Sequence, residues 1–318
     1  MTARTESSLS AQLERMERLR QARQVRTVFK DEHITLSHGS GGKASHNLVD
    51  GLLVPGFREP LLDGGEDAAL VSPSGNGSGR VAFTTDSYVV SPLFFPGGDI
   101  GSLAVHGTVN DLAMAGARPL WLSVGLILEE GLEVDVLRRV VASMAEAAEL
   151  IGVRVVTGDT KVVPRGKADR LFVNTSGMGL VRDGAALSTR GAMPGDVVIL
   201  SGTIADHGMA VMLAREALEL EAEILSDTAP LHELVERLLE AAPGTRALKD
   251  PTRGGVASSL CEIARRSEVS IIVEEERVPV REAVRGACEI LGLDPLHIAN
   301  EGKLLAVVPA GEADAALA

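Results

Sequence analysis

A two-domain α/β fold, of the α/β or α+β kind, is predicted for this chain by three observations. Its 318 residues are enough for two domains of ordinary size. Short apolar runs alternate with segments whose apolar residues recur every three or four positions, so strands and helices mix. Val, Leu, Ile and Ala must fill the core, because 45% of residues are hydrophobic and only 3% aromatic. That usage is common in α/β proteins.

Residues 1–32 form an extension, flexible or helical, with Arg15, Arg18, Arg20, Arg23 and Arg26 among scattered apolar residues. Glu6, Glu14 and Glu17 count against a transit peptide and favour a solvated arm. A globular pattern starts at His33. Residues 81–85, 153–157 and 171–180 read as strands. Residues 99–115 read as a helix with Asp99 as N-cap. Val134, Leu137, Val141, Met144, Ala148 and Ile151 mark an amphipathic helix. Residues 72–79, rich in Ser and Gly, are a flexible hairpin or loop.

A boundary is expected over 187–196, where Met193-Pro194-Gly195-Asp196 makes a turn before a strand at 197–200. This divides the chain into a first domain at 33–187 and a second at 188–318. In the second, 231–239 and 255–265 read as helices, and 270–273 and 304–308 as strands. Cys261 and Cys288 lie in helical segments without metal-ligand spacing and read as small buried hydrophobes.

The net charge of −13 argues against a nucleic-acid or anionic-membrane binder. No apolar run approaches the ~20 residues needed to span a bilayer. Without a signal peptide or disulfide framework, a cytoplasmic location is expected.

The chemistry is carried by short acid-bearing stretches around Asp67, Asp86, Asp111, Asp159, Asp250 and Glu301. Asp86 and Asp159 each end an apolar run, where a loop would present the carboxylate to a ligand. Gathered carboxylates repel unless a cation sits between them, and Mg²⁺ takes such oxygen ligands together with phosphates. Asn110-Asp111 is a locally unfavourable pair inside a helix, which suggests a site, with capping after a helix break as the alternative. Gly158-Asp159-Thr160-Lys161 places a carboxylate, a hydroxyl and an ammonium after a strand. Lys161 could also move a proton. His38-Gly39-Ser40-Gly41-Gly42-Lys43 is a candidate flap over phosphates, although Ser37 and Ala44 depart from the Walker pattern. Gly177-Met178-Gly179 lacks a third glycine, so a dinucleotide fold is not expected. His106 reads as a hydrogen-bonded helix histidine.

In order, these stretches resemble the aminoimidazole-ribonucleotide-synthetase-like (PurM-like) superfamily of ATP-dependent enzymes. Within it, the Pro-Leu-Phe-Phe-Pro-Gly-Gly run at 92–98 and Gly-Asp-Thr-Lys-Val-Val at 158–163 resemble the HypE family of hydrogenase maturation proteins. The resemblance covers residues 33–318. It implies a two-domain fold whose first domains form a β-barrel on homodimerisation. It implies Mg²⁺ at Asp67, Asp86, Asp111 and Asp159. ATP is implied at Gly41, Gly42, Lys43, Asp67, Asp86, Asn110, Asp159 and Thr160, with Lys161 and Glu301 as catalytic candidates. The implied activity is a carbamoyl dehydratase, which converts a C-terminal cysteine thiocarboxamide to a thiocyanate for the cyanide ligands of [NiFe]-hydrogenase. The implied partners are the HypF carbamoyltransferase and a HypC–HypD complex. Members end in Pro-Arg-Ile-Cys whereas this chain ends at Ala318, so a truncated second domain without the cysteine arm is expected. A selenophosphate-synthetase-like enzyme and a non-catalytic maturation scaffold are the alternatives.

Overall fold

A computed structural model describes residues 28–57, 61, 66–72, 79–216 and 223–318. The extension expected over 1–32 lies mostly outside these, as does most of the loop at 72–79. The chain forms two compact units, Met1–Asp63 and Gly64–Ala318.

The first unit carries the glycine-rich stretch. A 3₁₀ turn at Leu36–Gly39 leads into α1 (Lys43–Leu48), with Gly42 as its N-cap and Gly41 at φ 77°. The Gly41 amide donates to Ser45 Oγ at 2.9 Å, so the glycines here open a helix. His38 is buried and holds Asp31 through Nε2 at 2.9 Å.

The second unit begins with a five-stranded sheet of β1 (Ala69–Val71), β2 (Val81–Tyr88), β5 (Ala117–Glu129), β6 (Arg154–Val163) and β7 (Leu171–Val181), ordered β1-β2-β7-β5-β6. A two-stranded hairpin, β3 (Phe94–Phe95) and β4 (Gly98–Asp99), precedes α2 (Ile100–Met114). Among the described strands only β5 and β6 pair in parallel, because α3 (Val134–Ile151) makes the crossover between them. The strand expected at 153–157 runs on to Val163. It follows the thirteen-residue β5 as partner, so Asp159 and Lys161 stand in the sheet and not in a loop.

Asp99 caps α2, accepting from the amides of Gly101 at 2.7 Å and Ser102 at 3.3 Å. The helix is apolar nearly all round and buried along most of its length. One side lies on the sheet, approaching β7 closely at Gly177, where any Cβ would meet Thr108 Cγ2 at 2.8 Å. Its last turn, with Ala113 and Met114, packs into the core of the second half beside Ile199, Leu231, Val235 and Leu304. Asp111 is thereby carried to the junction of the two halves.

That second half holds an antiparallel sheet of β8 (Asp196–Leu200), β10 (Leu305–Pro309) and β9 (Ala247–Lys249) in the order β8-β10-β9. Around it lie α4 (Asp206–Glu216), α5 (His232–Ala241), α6 (Gly255–Ser267) and α7 (Glu282–Leu291). The strand expected at 270–273 does not form. Ile271 packs into the core and Ile272 is 91% exposed, so the alternation is present without a ladder partner among the described residues. Cys288 is buried as expected, but Cys261 is exposed, on the solvent side of α6. No described helix is long and apolar enough to cross a membrane.

Candidate active site at the junction of the two halves

Three carboxylates converge where the halves meet. Asp67 leads into β1, Asp111 sits in the last turn of α2, and Asp250 follows β9. Each offers an oxygen, and these oxygens lie within 4.8 Å of one another. The Thr84 hydroxyl lies 2.8 Å from Asp111 Oδ2 and 2.9 Å from the Asp67 carbonyl oxygen, fixing one to the other. Lys249, at the end of β9, pairs its ammonium with Asp67.

Burial dominates the electrostatics. It pushes the Asp250 carboxyl up to about 7, with the Asp67 charge adding to the shift. Burial also raises Asp111 well above the usual carboxylate range, reinforced by Asp250 and Asp67, and it raises Asp67 despite Lys249. Glu301 is raised well above its ordinary value by burial and then by Asp250 and Asp86. Asp86 shares the helix-facing side of β2 with Thr84 and Tyr88, and its charge reaches Asp111, Asp250 and Glu301. Hard oxygen donors forced together at the cost of their ionisation fit a divalent cation such as Mg²⁺.

Glu301 is held between two buried amides. Asn110 Nδ2 donates to the Glu301 and Ala229 carbonyls, both at 3.0 Å, and its Oδ1 accepts from the Leu231 amide at 2.8 Å. Asn300 accepts from Ala205 N at 2.7 Å and donates to the Pro251 carbonyl at 2.9 Å. The Glu301 amide donates to Asp227 Oδ1 at 3.1 Å, and Asp227 pairs with Lys303 at 3.2 Å. Gly302 is required in this turn, since a Cβ there would collide with the Asp227 carbonyl.

The expected site residues therefore divide. Asp67, Asp86, Asp111 and Glu301 share one electrostatic neighbourhood. Asn110, expected at the nucleotide, has its amide committed to the junction. Asp159 and Lys161 pair at 2.9 Å on the outer face of β6, each about 70% exposed. The Lys161 hydrogen bond holds the Asp159 carboxyl below its usual value. His106 is buried with Nδ1 3.3 Å from Thr228 Oγ1, and burial takes it down to about 4. Gly41, Gly42 and Lys43 belong to the other unit.

Two family models cover most of the chain: the AIR synthase related protein N-terminal domain at residues 65–181, and its C-terminal domain at 193–318. Carbamoyl dehydratase HypE of Cupriavidus necator is 52% identical over 291 residues, spanning 91% of this chain and 82% of that protein. The chain belongs to the HypE family. A HypE solved in a HypE–HypF complex superposes with a TM-score of 0.81 at 51% identity, covering 85% of this chain and 87% of that one. A HypE solved in complex with ATP gives 0.74 at 51% identity, covering 90% and 84%.

In this HypE-family chain Lys249 and Asp250 complete a cluster whose other members lie far upstream, so no local pattern marks them as partners. The Asp250-Pro251-Thr252-Arg253-Gly254-Gly255 stretch was the available signal. The cluster also gives a testable pH dependence. Asp250 is raised from 3.8 to about 7, so its contribution to stability is complete below about pH 4 and is lost as pH rises through about 7. Without metal, the melting temperature of Asp250→Asn is expected to fall less than that of the parent over this window. Parallel curves would show that Asp250 does not titrate there.

Proposed function

We infer that this chain is an ATP-dependent carbamoyl dehydratase of hydrogenase maturation, turning a cysteine thiocarboxamide into a thiocyanate. The observation that carries the reading is the trio of half-buried Asp67 and Asp111 with buried Asp250, beside Glu301, in a chain 52% identical to a carbamoyl dehydratase HypE. An amide oxygen is a poor leaving group, so phosphorylation by ATP must precede its loss. When bound, Mg²⁺ would offset phosphate charge there, held by Asp67, Asp111 and Asp250 with Asp86 alongside. Glu301 would exchange the proton that nitrogen must lose as the C–O bond breaks. Its turn is fixed by Asn110, Asn300 and Asp227, which supplies the rigidity such a transfer needs. The test is direct: the chain, ATP, Mg²⁺ and a peptide ending in carbamoylated cysteine are expected to yield ADP and a peptide one water lighter. ADP released without that mass loss would refute the dehydratase reading.

Partnering with HypF extends to this chain what a HypE relative does in its solved complex. Delivery of cyanide to iron on a HypC–HypD complex follows from the same reading. Unpaired Cys261 and Cys288 suit a reducing cytoplasm. We further propose a homodimer through the outer face of the five-stranded sheet. There Phe83, Met178 and Trp121 form one cross-strand row, 46%, 38% and 44% exposed. A second copy on that row would also close the face bearing Asp159 and Lys161, which gives those residues access to a shared site. Trp121→Asp is expected to give a monomer by light scattering. A dimer that survives this change would rule out the face.

A further inference from the structure

Lys249 has no part in the chemistry above, yet it is built into the acid cluster. Its ammonium pairs with Asp67 and lies 3.6 Å from Glu262 Oε2. Glu262 in turn takes the Arg266 guanidinium at 3.0 Å, one turn along α6. The side chains of Asp67, Lys249 and Glu262 are 14%, 13% and 12% exposed. An alternating row of charges thus runs from the cluster into α6. It crosses between the halves, because Asp67 enters the first sheet and Lys249 ends a strand of the second. A lysine serving only to seat β9 on α6 would be satisfied by Glu262. Here the closer contact goes across the junction, to a carboxylate that must also face Asp111 and Asp250.

We propose that Lys249 is a tethered counter-ion of this cluster, a positioning residue that holds Asp67 across the junction and opposes a divalent cation for the same charge. The opposition rests on the reading of the trio as a cation site; the holding of Asp67 does not. Two consequences follow from charge alone. Removing the ammonium leaves three crowded carboxylates without their fixed partner, so the metal-free protein loses stability. The same change makes the site more negative, so a divalent cation binds more tightly and restores more stability than in the parent. A lysine with a packing role alone would lower stability equally with and without metal.

The experiment compares the full chain, Lys249→Met, Lys249→Arg and the double variant Asp67→Asn/Lys249→Met, without nucleotide, in chelator and in Mn²⁺ or Mg²⁺. Lys249→Met is expected to melt roughly 5–10 °C lower in chelator. Its Mn²⁺-induced rise should be about twice that of the parent, with Mn²⁺ bound about tenfold more tightly by the loss of the free-ion resonance signal. Lys249→Arg should behave as the parent. The double variant should melt above Lys249→Met in chelator, because the stranded charge has gone, and this comparison decides the matter if Lys249→Met does not fold. A metal-induced rise no larger than the parent's, or a double variant no more stable than the single, would overturn the proposal. A parent chain indifferent to both ions would instead sink the cation site, leaving the coupling of Asp67 and Lys249 to judge the counter-ion.

Discussion

Asp111→Asn is expected to lower ATP-dependent dehydration by about two to three orders of magnitude while the protein remains folded. Asparagine keeps the size of the side chain and an oxygen for the Thr84 hydroxyl, 2.8 Å away in the parent. What it removes is charge, in the place where the proposed function puts a cation and the transferring phosphoryl group. Stability should hold or rise, because burial with Asp250 and Asp67 already disfavours the charged form of Asp111. The variant should therefore melt no lower than the parent in chelator and should lose the Mg²⁺-induced rise. Retention of more than about a tenth of the parent rate would show that phosphoryl transfer does not use this trio.

Asn110→Ala, one residue away, should do the opposite. It strips the Glu301 and Ala229 carbonyls and the Leu231 amide of their partners, at a site where Asn110 is fully buried. Each orphaned buried group costs about 1–3 kcal/mol, so the three together cost roughly 3–9 kcal/mol. For a chain of this length that corresponds to a melting temperature lower by roughly 10 °C. Activity should fall through misplacement of Glu301, and the Mg²⁺-induced rise should persist, since the carboxylates remain. A variant melting within about 3 °C of the parent would mean that this clamp does not join the halves.

This contrast marks what the sequence can and cannot reveal. A polar pair inside an apolar helix announces that something other than helix propensity governs residues 110–111. It does not say that one side chain meets the cluster and the other locks a loop more than a hundred residues away. Signals internal to a segment are reliable here: Asp99 caps α2 as its position implies, and the periodicity of α3 and α5 gives their extent within a few residues. Signals that depend on pairing are not. β6 outruns its apolar stretch because β5 is there to receive it, and the pleat then turns Asp159 and Lys161 to the outer face. Residues 270–273 have strand composition but no ladder partner among the described residues. Asp250 and Lys249 enter the site through the packing of two cores, which no spacing along the chain encodes.

The division of the trio between halves also bears on how the protein comes into being. A ribosome delivers Asp67, Asp86 and Asp111 early, but Lys249, Asp250 and Glu301 only after a long further stretch of chain has emerged. Until then the early carboxylates lack both their fixed cation and the partner that completes the cluster, and Asn110 has no Glu301 carbonyl to grip. A half-made chain thus cannot assemble the pocket that would spend ATP. On the proposed reading, closure of the junction and the start of nucleotide consumption become a single event.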